Sequence, residues 1–252
     1  MKFPSILTIA GFDTCGGAGI HADIRTISSL GFHPSSVVTA ITFQNTCKIL
    51  GVERVKAKTI DKQLSAVFDD LNIAGIKIGL VCDVEAAKLI ADKIKELEVP
   101  KVLDPVIKAS VGYEFSDVEA YKIIAKACDY ITPNANEAAL MANQNIRCLE
   151  DAKNAAKKIS KSFNCSTIIT GGSLDGKDVV CDLNESKIYT VEAEFSAFEI
   201  HGTGCVYSTA LTCYLAKGNS LEDSCRLARL FLLESVKKAK PIGNCNPVVF
   251  PL

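Results

Sequence analysis

The sequence predicts an α/β protein, a three-layer α-β-α sandwich whose central sheet is mostly parallel. Two observations carry that expectation. Apolar runs of strand length alternate with longer segments of helical period, which implies right-handed βαβ crossovers and helices on both sheet faces. No Pro/Ser-rich linker, internal repeat or low-complexity stretch interrupts the 252 residues, so one domain spanning 1–252 is expected.

The elements follow in order. Ser5–Gly11 reads as the first strand and Ala18–Leu30 as the helix after it. Ser36–Thr42 is a second strand, and Asp61–Leu71 carries Leu64, Val67, Phe68 and Leu71 at the spacing of an amphipathic helix. Gly75–Leu80 is a strand, Val84–Leu97 a helix, and Lys101–Pro105 a strand ended by proline. Helix Val118–Ala127, strand Tyr130–Thr132, helices Asn136–Ala142 and Leu149–Phe163, and strand Ser166–Thr170 follow. Val179–Leu183 and Lys187–Val191 form an expected antiparallel hairpin, and helices at Gly204–Ala216 and Leu221–Lys238 close the chain.

Charge and cysteine content narrow the function classes. Twenty-eight Lys and Arg balance 29 Asp and Glu, which argues against a dedicated nucleic-acid or membrane-surface binder. No apolar run reaches the ~20 residues needed to cross a bilayer. The 11 cysteines are scattered and include no C-x-x-C pair, so no zinc site or redox dithiol is spelled out. A cytoplasmic enzyme with reduced thiols is expected, most of them acting as small buried hydrophobes.

In parallel sheets ligands bind at the carboxyl ends of strands, and two glycine-rich turns fall there. The first, Ala10-Gly11-Phe12-Asp13-Thr14-Cys15-Gly16-Gly17-Ala18-Gly19-Ile20-His21-Ala22-Asp23, follows strand one. Its spacing matches neither a dinucleotide fingerprint nor a P-loop, and Asp13 and Asp23 would face the crevice. The second, Glu199-Ile200-His201-Gly202-Thr203-Gly204-Cys205-Val206-Tyr207-Ser208, enters a helix. Backbone N–H groups of Thr203, Gly204 and Cys205 could converge on an anion there and should lower the Cys205 thiol pKa. His201 more naturally orients this backbone than reacts.

With both turns in view, the chain resembles the hydroxymethylpyrimidine/phosphomethylpyrimidine kinases of thiamine biosynthesis, within the ribokinase-like superfamily. The family's A-G-x-D-x-S-G-G-A-G-I-Q-A-D appears as Ala10 to Asp23, with Cys15 for Ser and His21 for Gln. A-Q-N-T appears as Phe43-Gln44-Asn45-Thr46, K-I-G-M as Lys77-Ile78-Gly79-Leu80, and D-P-V as Asp104-Pro105-Val106. T-P-N-x-x-E-A appears as Thr132 to Ala138, and H-G-T-G-C is intact at His201 to Cys205.

The resemblance implies a ribokinase-like fold and transfer of the γ-phosphoryl of ATP, with Mg²⁺, to the 5-hydroxymethyl group of an aminopyrimidine, then to its monophosphate. It implies Cys205 as the base, with Gly202, Thr203 and Gly204 receiving the transferred phosphoryl. It assigns the small-molecule substrate to Gly11, Asp23, Gln44 and Leu80, and the nucleotide side to Asn134, Thr170, Gly172 and Asp104. Glu137, with Asn134, would help hold Mg²⁺ through water. A homodimer is the expected assembly, with no nucleic-acid or membrane partner.

The chain also departs from the pattern. Thr170-Gly171-Gly172 stands where the family has K-G-G. In place of M-x-x-K-S-G it has Ile107-Lys108-Ala109-Ser110-Val111-Gly112, with lysine two places early. The family's G-x-G-x-G-P becomes Gly243-Asn244-Cys245-Asn246-Pro247. Losing or moving two cations should weaken the second phosphorylation more than the first. Pyridoxal or pyridoxine kinase activity, and non-catalytic pyrimidine binding, are the alternatives carried forward.

Overall fold

The computed structural model describes residues 2–107, 118–192 and 200–251. The expected Lys108-Ser110-Gly112 segment and Glu199 lie outside them. Among these residues nine strands form one sheet: β1 (Ser5–Asp13), β2 (His33–Gln44), β3 (Ile49–Arg54), β4 (Ile73–Ile78), β5 (Lys101–Leu103), β6 (Tyr130–Ile131), β7 (Ser166–Ile169), β8 (Lys177–Asp182) and β9 (Lys187–Glu192). The spatial order is β3-β2-β1-β4-β5-β6-β7-β8-β9. The six strands from β2 to β7 pair parallel, while β3 at one end and β8–β9 at the other are antiparallel.

Among the described residues eight helices pack on the sheet: α1 (Gly19–Ser29), α2 (Ala57–Asp70), α3 (Val84–Ile94), α4 (Val118–Ala125), α5 (Ala135–Ala142), α6 (Leu149–Phe163), α7 (Thr203–Ala216) and α8 (Leu221–Lys237). The period of two along β1 sorts its side chains. Leu7 and Ile9 join Ile60 and Leu64 of α2, Ile90 of α3 and Ile159 of α6 in one core. Ile6 faces the opposite way, onto Ile27 of α1 and Cys213 of α7. Val102 and Leu103 split likewise between the two layers.

The expected elements are present with shifted ends, and one was missed. Ile49–Arg54 is a strand, and β2 runs past its expected end at Thr42 to reach it. Gly51 and the paired Glu53-Arg54 obscured the alternation in this edge strand, which owes its pairing to β2.

The strand order reverses at β1, because β2 lies on one side of it and β4 on the other. Such a reversal opens a crevice at the carboxyl ends of the two strands. Gly11 of β1 and Leu80 beyond β4 meet there so closely that a Cβ at Gly11 would stand 2.8 Å from Leu80 Cδ2.

The far side of the sheet is pinned by an ion pair. Asp178 of β8 is wholly buried and bonds both Arg229 of α8 and the Gly171 N–H, the latter at 2.7 Å. Arg229 also lies over the Tyr207 ring at 4.8 Å. Removing the cation alone strands a buried carboxylate, so Arg229→Met should cost ~3–5 kcal/mol. Urea titration should show a lower midpoint at unchanged slope, and an unshifted midpoint would contradict this role.

Candidate active site

A cavity of about 230 Å³ opens at the β1/β4 crevice. Its lining includes Gly11, Asp13, Gln44, Lys77, Leu80, Asp104, Asn134, Glu137, Thr170 and the run His201 to Cys205. The two glycine turns, distant in sequence, interlock at its edge. Gly202 is the N-cap of α7 at φ +92, and a Cβ there would lie 2.1 Å from the Gly17 carbonyl oxygen, so only glycine fits. The first intrahelical bond runs from the Val206 N–H to the Gly202 carbonyl at 3.0 Å. The preceding N–H groups, Thr203 to Cys205, belong to the helix start that has no intrahelical acceptor.

Asp13 organises the first turn. Its carboxylate accepts from the N–H groups of Cys15 (2.9 Å), Gly17 (3.0 Å) and Ala18 (2.8 Å), and His201 Nε2 lies 3.0 Å away. Burial works to raise this carboxyl, but His201 and the backbone donors hold it far below its ordinary value. Gln44 completes this wall, its amide nitrogen 3.4 Å from His201 Nε2. His201 thus orients the loop, as its position in the sequence suggested.

Asp23 is corrected by the structure. It is wholly buried beneath the cavity and does not line it. Thr8 Oγ1 (2.5 Å), Thr209 Oγ1 (2.8 Å) and Lys77 Nζ (3.0 and 3.1 Å) occupy both of its oxygens. Its task is to hold Lys77, a residue to which the motif alone assigns no role. The signal was there: Asp23 stands between Ile20 and Ile27 on the apolar stripe of α1, and Lys77 interrupts the apolar strand Ile73–Ile78.

Lys77 Nζ also lies 3.8 Å from Asp104 Oδ2, and Asp104 accepts from Ser208 Oγ at 2.9 Å. Against burial, which would lower it, Asp23 and then Cys205 and Asp104 hold the Lys77 ammonium above its ordinary range. Burial conversely raises Asp104, with Lys77 and Ser208 opposing.

Cys205 is corrected in a second respect. The residue is half-buried and lines the cavity, yet its thiol is not lowered. Burial pushes it up to about 12, Asp104 and Asp23 add to the rise, and Lys77 and the Gly19 N–H oppose it. Burial therefore outweighs the helix start, against the lowered thiol pKa expected from the sequence.

On the nucleotide side, Asn134 caps α5 by accepting from the Glu137 N–H (3.0 Å), and Glu137 Oε2 accepts from the Asn134 N–H (2.9 Å). Thr170 bridges to Asn134 as a single parallel pair and lines the cavity. Gly172 does not line it; it sits exposed in the short 3₁₀ turn Gly171–Ser173. Burial pushes Glu137 up to about 8, and the neighbouring Asp104 adds to this. Two buried carboxyls, each raised and both lining one cavity, are a donor set that a hard divalent cation would relieve. Because one Glu137 oxygen is committed to the cap, ligation through water fits better than a direct bond.

The cysteine reading also changes. Cys47 and Cys245 form a disulfide across 198 residues of sequence, their Cα atoms 5.1 Å apart. Spacing could not reveal a pair that only the tertiary fold brings together.

The raised Glu137 carboxyl has a linkage consequence. Its folded value, about 8, exceeds the ordinary 4.5. Its stabilising contribution is therefore complete below the unfolded value and lost as pH rises through the folded one. Unfolding free energy should fall from about pH 5 to about pH 8, and Glu137→Gln should make that slope shallower. Parallel curves for the two proteins would contradict the assignment.

Residues 13–249 match the family model described as phosphomethylpyrimidine kinase. The chain is 36% identical to the hydroxymethylpyrimidine/phosphomethylpyrimidine kinase of Aquifex aeolicus, covering 94% of this chain and 96% of that one. The structure superposes on the phosphomethylpyrimidine kinase of Clostridium difficile 630 with a TM-score of 0.79 at 32% identity, covering 93% and 100% of the two chains. It superposes on the pyridoxal kinase of Staphylococcus aureus in complex with AMP-PCP with a TM-score of 0.88 at 27% identity, covering 99% and 93%. The fold is accordingly ribokinase-like, and the chain belongs to the phosphomethylpyrimidine kinase family.

Proposed function

We propose that this chain transfers the γ-phosphoryl of ATP to the 5-hydroxymethyl group of 4-amino-5-hydroxymethyl-2-methylpyrimidine, in thiamine biosynthesis. The observation that carries this is the convergence, on one cavity, of the α7 helix start, Cys205 and the Lys77–Asp104 pair. Phosphoryl transfer needs positioning and charge stabilisation more than covalent chemistry. The N–H groups of Thr203, Gly204 and Cys205 offer donors to the transferred oxygens without reorganisation. Gln44 and Asp13, beside His201, supply acceptor and donor atoms for an aminopyrimidine ring. Mg²⁺, bound near Glu137 and Asp104, would neutralise phosphate charge.

Cys205 is the proton acceptor for the substrate hydroxyl in this reading, and Lys77 is the cation that stabilises its thiolate. Among the described lining residues Lys77 is the one lysine, and its charge is committed to Asp23 and Asp104. That favours the alcohol over its monophosphate as acceptor. The high similarity to a pyridoxal kinase keeps pyridoxal as a second acceptor to assay.

A homodimer belongs to the same proposal. Alternation along β2 sends Thr42 and Gln44 to the cavity and leaves Ile41 and Phe43 exposed beside Phe12. Those three make an apolar face suited to a second copy. A cytoplasmic location is also proposed, supported by buried thiols outside any disulfide at Cys128, Cys165, Cys213 and Cys225. No helix among the described residues is long and apolar enough to cross a membrane.

The test is turnover of the alcohol, its monophosphate and pyridoxal with Mg-ATP, as a function of pH. The aminopyrimidine alcohol should have the highest kcat/KM. Because the Cys205 thiol is raised to about 12, its base form is scarce at neutral pH, and the rate should climb through the alkaline range. Cys205→Ala should lose 10²-fold or more and the pH limb with it. Full turnover by that variant would remove the assigned base, and pyrimidine binding without any ATP turnover would leave a binding protein.

A further inference from the structure

The Cys47–Cys245 disulfide joins two segments whose neighbouring residues line the cavity, so it lies at the cavity's edge. Cys47 is in the turn between β2 and β3, next to Gln44, Asn45, Thr46 and Ile49 of one wall. The turn is internally fixed, since Asn45 Oδ1 accepts from the N–H groups of Cys47 (2.9 Å) and Lys48 (3.0 Å). Cys245 is in the C-terminal segment, beside Asn246 of the other wall. That segment is tied to the phosphoryl loop: the His201 N–H donates to the Pro247 carbonyl (3.0 Å) and the Val249 N–H to the His201 carbonyl (3.2 Å). Thr46 also packs on the Gly243 backbone, where an added Cβ would come within 2.3 Å of its hydroxyl.

We propose that Cys47 and Cys245 are a reversible clasp at this edge, opened by a dithiol reductant, and that the closed clasp slows entry of the acceptor alcohol. The proposal rests on the kinase reading for the identity of what enters. Both cysteines are exposed, so an attacking thiolate can reach either sulfur. Burial raises the thiols of Cys128, Cys165, Cys213 and Cys225, which keeps them out of exchange. The chemistry balances. One thiolate of the reductant attacks one sulfur and expels the other as a thiolate, which takes up a proton. The second reductant thiol then closes on the mixed disulfide, leaving two protein thiols and one oxidised reductant, with two electrons and two protons transferred. When open, the β2–β3 turn keeps its packing on Gly243 but loses its covalent tie to the tail.

The test compares wild type, Cys47→Ser and Cys245→Ser after mild oxidation and after dithiothreitol. A denatured thiol count should give nine for the oxidised wild type and eleven after reduction. Reduction should raise wild-type kcat/KM for the alcohol at least threefold, with a matching rise in the stopped-flow association rate of the aminopyrimidine. Either serine variant should equal the reduced wild type under both treatments. Equal kcat/KM and association rates at nine and eleven thiols would overturn the clasp, as would eleven thiols after oxidation. If no form turns over but association still responds to reduction, the kinase reading fails and the clasp stands. Absence of binding in both states removes both.

Discussion

One buried ammonium governs this site. Lys77 sits at zero exposure on β4, a place where a lone charge would cost several kcal/mol. It is tolerated because Asp23 from α1 and Asp104 after β5 close on it, and Thr8, Ser208 and Thr209 take up the remaining carboxylate lone pairs. With both acids ionised, the trio carries one surplus negative charge in a buried space. Burial and Asp23 therefore raise Asp104 against Lys77 and Ser208, and burial with Asp104 and Asp23 likewise disfavours an anion at Cys205. The elements that build the cavity floor, α1, β4 and α7, are joined at this point, so the charge balance of the site and the packing of the fold are one problem.

Much of the fold was legible because periodicity is a local property. Helix α6 spans Leu149–Phe163 as its apolar spacing predicts, and the β8–β9 hairpin was marked by its turn residues. Helix and strand ends moved by a few residues where capping or pairing decides them, as at Asn134 for α5. The strand Ile49–Arg54 was hidden because its glycine and charged residues follow no alternation, and pairing with β2 supplies what local propensity does not.

The site was legible in its outline and not in its wiring. Motif order located Gly11, Gln44, Leu80, Asp104, Asn134, Glu137, Thr170 and the loop from Gly202 to Cys205 at one cavity. A motif does not say which of two acids faces the ligand. Asp13 lines the cavity and Asp23 lies under it, a difference set by how α1 turns on the sheet. Nor does it give the environment of a thiol: the helix start argued for a lowered Cys205 pKa, and burial beside two carboxylates outweighs it. The pairing of Cys47 with Cys245 depends on where the chain's tail returns, which no spacing rule encodes.

Lys77 holds the proton affinity of Cys205 below what burial alone would impose. This claim is tested most directly by the pH dependence of alkylation at Cys205, read by peptide mass spectrometry, in wild type and in the paired variant Asp23→Asn with Lys77→Met. The pair removes one positive and one negative charge together, and Asp104 keeps the Ser208 hydroxyl as its donor. Lys77 opposes the rise of the thiol more strongly than Asp23 supports it, so the variant should need a higher pH for half-maximal labelling. A midpoint unchanged or shifted to lower pH would contradict the claim and leave Lys77 as a packing element of the fold.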